Sequence, residues 1–192
     1  MIRRRTPPIP PLAALVLSGA LLLTGCAAPA SSATPGAPAA ADAASGHHTT
    51  ADAPSEAARM ICSPEIRESI AAALGIDETP EPTDTFTNGV YTCTYPLAEG
   101  DLVLSVMEMD DAAAAEAHTA ELLGSFDSAE EITGLENLGL PAFRTDDGVV
   151  VFAKDDAMLQ VDARNTSPAS LSPSALAYRI ATNVLACWKA HH

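Results

Sequence analysis

Apolar side chains recur every four residues at Ile66, Ile70 and Leu74, which makes one stripe of a helix. Ser63 stands at the N-cap position, Pro64 suits the first helical turn, Glu65 complements the dipole, and Gly75 supplies a stop. Alternation with a period of two takes over at residues 90–95, where Tyr91, Cys93 and Tyr95 share a face. It returns at 101–109, with Leu102, Leu104 and Val106 opposed to Val103, Met107 and Met109. The PLAEG between these strands reads as a hairpin loop, and the acidic, two-proline stretch 77–84 reads as a connecting loop. Asp110 or Asp111 caps a second, Ala-rich helix that runs to Leu123, with Ala113, Ala117 and Ala120 as its shallow face and Gly124 as its end. Three short strands are expected at 142–145, 149–153 and 158–163, parted by turn chemistry at Asp146-Asp147-Gly148 and Lys154-Asp155-Asp156. Ser172 and Pro173 open a last helix lined by Leu176, Ile180, Val184 and Cys187.

The predicted order is therefore α-β-β-α-β-β-β-α. Strands joined by tight turns pair antiparallel. The expectation is an α+β domain: an antiparallel sheet of about five strands with three helices packed mainly on one face. No internal repeat is evident.

The first 26 residues follow a different rule. Arg3, Arg4 and Arg5 precede an apolar run of 12 residues, 12–23, which is shorter than the roughly 20 needed to cross a bilayer. Basic residues, a short apolar run and small residues in that order are the pattern of a cleaved export signal. Arg4-Arg5 is followed by Thr6-Pro7-Pro8 rather than an apolar pair, which argues against a twin-arginine route. The segment closes on Leu23-Thr24-Gly25-Cys26, which resembles the lipobox of bacterial lipoproteins. That resemblance implies a diacylglyceryl thioether on Cys26 and cleavage before it. Two acyl chains suffice for stable membrane attachment. Residues 27–57 carry Ala, Pro, Ser and Thr and no large apolar side chain, so they read as a disordered tether with a reach on the order of 30 Å. The chain thus divides into a signal peptide at 1–25, lipidated Cys26 with its tether at 26–57, and a single α+β domain at 58–192.

Composition changes this picture in one respect. The 192 residues carry 10 Lys+Arg against 25 Asp+Glu, a net charge of −15. Removing 1–25 takes away three Arg and no acid, so the mature chain reaches −18. Phosphate binding needs clustered Lys and Arg, and base stacking needs aromatics, which are only 4% here, so nucleic acid is excluded as a partner. The same acidity opposes adhesion to anionic headgroups. Membrane residence would then rest on the acyl chains of Cys26.

Cys62, Cys93 and Cys187 remain for an oxidising compartment, with three single pairings open. Cys62–Cys93 is the expected bridge, because it would tie the entry of the first helix to the middle of the first strand. Cys187 would then be a buried thiol on the last helix, a reactive or intermolecular Cys187 being the alternative. No CxxC occurs. The lipobox, the Ala/Pro/Ser tether, Cys62 before a helix ending Leu74-Gly75, Cys93 between Tyr91 and Tyr95, and Gly134-Leu135 with Leu138-Gly139 before Ala142-Phe143 together resemble a family of small actinobacterial lipoproteins with a domain of unknown function. The resemblance spans nearly the whole chain. It departs where Tyr95 replaces a common Trp and in the additional Cys187. It implies the Cys62–Cys93 pairing and a sheet-plus-helix domain, and carries no activity.

Catalytic motifs are missing from the sequence: there is no GxSxG, SxxK, HExxH, P-loop or GxGxxG. His118 is the lone histidine between the tether and the C-terminal pair, and His47-His48 and His191-His192 have no ligand spacing around them. The pairs Asp110-Asp111, Asp146-Asp147 and Asp155-Asp156 invite a calcium reading, but no DxDxDG loop accompanies them, and helix capping and solvated turns explain them. No catalytic residue, cofactor site or metal site is therefore expected. Met107, Met109, Phe143, Phe152 and Met158 read as core, with an apolar ligand site as the alternative. The expected function is a non-enzymatic binding or interaction module. It would be lipid-anchored at the outer face of the cell membrane, with an envelope protein or a small apolar ligand as partner. The alternatives are a lipid or glycolipid carrier with an apolar cavity, or an enzyme with a non-standard carboxylate site.

Overall fold

The computed structural model describes residues 53–168 and 170–190. A short helix α1 (Glu56–Arg59) leads through a 3₁₀ turn (Met60–Cys62) into α2 (Pro64–Leu74). Ser63 caps α2 by accepting from the Ile66 amide, and Gly75 closes it in the left-handed conformation at φ 69°. Strands β1 (Thr83–Thr87), β2 (Val90–Leu97) and β3 (Gly100–Glu108) form a meander. Helix α3 (Ala112–Leu123) leads to a second meander, β4 (Ala129–Glu131), β5 (Ala142–Thr145), β6 (Val149–Lys154) and β7 (Ala157–Asp162), and α4 (Pro173–Ala190) ends the described chain. Antiparallel pairing of β3 with β7 joins the two meanders into one sheet of order β1-β2-β3-β7-β6-β5-β4.

The α+β class and the antiparallel sheet agree with expectation, and the five expected strands lie where the alternation placed them. Two further strands correct the count to seven: β1 and β4. Both are edges, and their side chains are nearly all exposed or half-exposed, so neither carries a buried face to betray it. Helix α1 also begins within the last two residues assigned to the tether. Glu56 and Ala57 are helical, and the Ser55 amide donates to Glu108 Oε2 at 3.2 Å.

Packing of the helices mainly on one face is also corrected. Ile66, Ile70, Leu176, Ile180 and Val184 from α2 and α4 bury against Tyr91, Leu104, Phe152 and Val161 on one face. On the other, Leu122 and Leu123 of α3 pack over Phe143, Val149, Val151 and Met158. The physical reason is visible in β6: Val149, Val150, Val151, Phe152 and Ala153 are all buried, so the centre of the sheet needs cover on both sides. Burying each of these larger side chains contributes about 1.5–3 kcal/mol. The inward face of α3 differs too. Ala113, Ala117 and Ala120 are exposed, and Ala115 and Thr119 are buried.

Candidate functional site

The Cys62–Cys93 disulfide bridges the entry of α2 to the centre of β2. Beside it the Tyr95 hydroxyl donates to the Ile61 carbonyl at 2.6 Å. Burial drives the Tyr95 phenol well above its ordinary pKa, with Arg67 pulling weakly the other way, so it stays a donor. These two links fix α2 across the sheet. Arg67 of α2 then donates through Nε to the Pro80 carbonyl at 3.2 Å and pairs with Glu81, which fastens the loop after α2.

That loop forms one wall of an open groove of about 550 Å³. The end of β2 supplies Pro96 and Leu97, the β2–β3 turn supplies Ala98 and Glu99, and Thr166 and Pro168 complete it. Gly100 makes this wall possible. At φ +114°, a Cβ on it would lie 1.6 Å from the Asn165 carbonyl oxygen. The Thr166 hydroxyl donates to the Ala163 carbonyl at 2.6 Å and holds the segment in place. The lining is partly apolar, with Leu74, Leu97 and Ile76, which is 42% exposed, and it also carries Glu78, Glu81 and Glu99. The polar groups of the lining are carboxylates and hydroxyls. Their chemistry is recognition of apolar surface and positive charge. The groove opens at the Gly100 end of β3, whereas Ser55 meets Glu108 at the opposite end, about 26 Å away along nine extended residues.

The other expected residues are dispersed. Cys26, His47-His48 and His191-His192 lie outside the described residues. Cys187 is buried on α4 and forms no disulfide. His118 is half-buried and faces Glu121 at 3.7 Å. Asp111 caps α3 by accepting from the Ala114 amide at 2.8 Å, Asp147 bonds the Thr145 hydroxyl, and Asp155 pairs with Lys154 in the β6–β7 turn. No group of three or more potential metal ligands is gathered among the described residues. Phe143, Met158 and Met107 pack on the α3 face and Phe152 on the α4 face, so the residues that an apolar ligand would need are divided between two layers. Among the described residues no helix is long and apolar enough to cross a membrane. The acidic, proline-broken pattern of 77–84 carries no periodicity that distinguishes a groove wall from a connector. Ile76, a large apolar residue directly after a helix stop, was the available signal. No protein-family model, curated protein or solved structure matches the chain.

Proposed function

We propose that this is a lipid-anchored envelope protein, held by acyl chains on Cys26 at the outer face of the cell membrane. Its domain would be a non-enzymatic binding module, and the groove between α2 and the β2–β3 turn its binding surface. The likeness to small actinobacterial lipoproteins belongs to the same proposal. The observation that carries it is placement. The described chain enters at the Glu108 end of β3 and the groove opens at the Gly100 end, so a tether from the membrane leaves the groove facing outward. Apolar lining together with Glu78 and Glu99 supports an occupant that combines apolar surface with positive charge.

Two measurements test it together. Fractionation should find the wild-type chain with membranes until detergent is added and Cys26→Ala in the soluble fraction; a variant that still needs detergent refutes the anchor. A photo-crosslinking side chain at Leu97 should give a discrete adduct in intact envelopes, and one at Asp155 should not. Equal labelling from both positions refutes the groove as the binding surface.

A further inference from the structure

The loop 133–141, between β4 and β5, exposes apolar surface that the fold does not use. Leu135 is 95% exposed and Leu138 is 53% exposed. Leu138 also adopts φ 57°, a conformation unfavourable for a bulky side chain. The loop is nonetheless firmly built. The Tyr178 hydroxyl donates to the Glu136 carbonyl at 2.8 Å, Arg144 pairs with Glu136 at 3.3 Å, and Asn137 Oδ1 accepts from the Gly139 amide at 2.9 Å. A loop held in a costly conformation while presenting two leucines to solvent points to use rather than to slack.

The other side of this loop lines a cleft of about 220 Å³ against α3. Glu116, Thr119 and Leu123 face it from one side of the helix, and Glu131, Asn137 and Phe143 from across it. Thr119 is 4% exposed, and its hydroxyl has no hydrogen-bond partner among the described residues. A buried hydroxyl without a partner is destabilising, so it marks a group awaiting one. The volume lies below the range of pockets for drug-sized ligands but accommodates one extended side chain. Two carboxylates, a hydroxyl and an apolar wall match the ammonium or guanidinium tip and the aliphatic stem of Lys or Arg.

We propose that this loop and cleft form a second docking surface, separate from the groove, for a basic protein segment. A cationic side chain of the partner enters the cleft, meets Glu116 and Glu131 and donates to Thr119 Oγ1, while Leu135 and Leu138 pack against apolar residues beside it. The charge of the chain favours such a partner over an acidic one.

The test uses the full chain in non-ionic detergent and a labelled octapeptide of alternating Lys and Leu. Comparison peptides replace Lys by Glu or Leu by Ser. The Lys/Leu peptide should bind and both comparisons should fail. The exposed pairs Glu116→Gln with Glu131→Gln, and Leu135→Ser with Leu138→Ser, should each weaken binding about tenfold. Asp155→Asn with Asp156→Asn, an exposed acidic pair in the β6–β7 turn away from both the cleft and the groove, should leave the affinity unchanged. Thr119→Val should weaken binding roughly three- to tenfold and raise the Tm of the unliganded chain, since an unsatisfied hydroxyl is replaced by an isosteric methyl. No binding of the Lys/Leu peptide, an unchanged affinity in the Glu116/Glu131 pair, or an equal loss in the Asp155/Asp156 pair overturns the proposal. A lowered Tm in Thr119→Val would show the hydroxyl satisfied within the fold and overturn its role.

Discussion

Tyr95 shows how much one side chain holds. Its ring lies in the core and its hydroxyl satisfies the Ile61 carbonyl at the end of the 3₁₀ turn, a backbone group with little other recourse so deep in the fold. Tyr95→Phe keeps the packing and orphans that carbonyl, so it should cost about 1–2 kcal/mol in a urea denaturation with unchanged m-value. A loss within error would mean that water replaces the hydroxyl. The pH dependence has a definite sign. Burial raises the folded pKa of this phenol, so the folded state holds its proton longer than the unfolded chain does. Its stabilising contribution is complete below pH of about 10 and declines as pH rises beyond that, and Tyr95→Phe should flatten this part of the profile. At this scale the sequence was legible where one residue did one familiar task. Ser63, Asp111 and Ser172 all cap the helices that follow them. Thr119 was not legible, because nothing local distinguishes a buried Thr on an Ala-rich helix from an exposed one.

Elements were legible in proportion to the asymmetry of their burial. The alternation in β2 and β3 reports a face turned toward α2 and α4, and it located both strands closely. Edge strands β1 and β4 have no such asymmetry. The five residues of β1, TDTFT, are mostly solvent-exposed and belong to the sheet through backbone pairing with β2. The placement of α3 on the second face was foreshadowed by the unbroken apolar run of β6, which an antiparallel sheet covered on one side does not need. The groove depends on a contact between elements. The Asn165–Thr166 segment lies against the β2–β3 turn only because position 100 has no side chain. Gly100→Ala introduces both a clash with a backbone oxygen and a left-handed strain. It should therefore destabilise the fold by roughly 2–4 kcal/mol and move amide resonances of Leu97, Ala98 and Thr166. Wild-type stability together with unmoved resonances would show that this wall is not built as described.

For the molecule as a whole, the Cys62–Cys93 bridge closes 31 residues that contain α2, the groove loop and β1. Between α2 and β2 that span is poor in buried side chains: β1 is an exposed edge, and the loop 75–82 is acidic and proline-broken. The hydrophobic effect therefore contributes little to holding it, and the covalent link contributes more. Restricting the unfolded chain over a loop of this length stabilises the fold by about 3–4 kcal/mol, a large share of what a small domain possesses. The paired variant Cys62→Ser with Cys93→Ser should lower unfolding free energy by that amount in guanidinium titration. Because the groove loop lies inside the closed segment, amide exchange should accelerate first at Glu78, Thr79 and Glu81 and in β1, with the α3–β6 core affected least. Uniform acceleration would assign the bridge to global stability alone. A loss below about 1 kcal/mol would show that Tyr95 and the α2–α4 packing suffice without it. The expected pattern would make the disulfide the device that lets a sparsely packed, solvent-facing segment keep the shape of a binding surface.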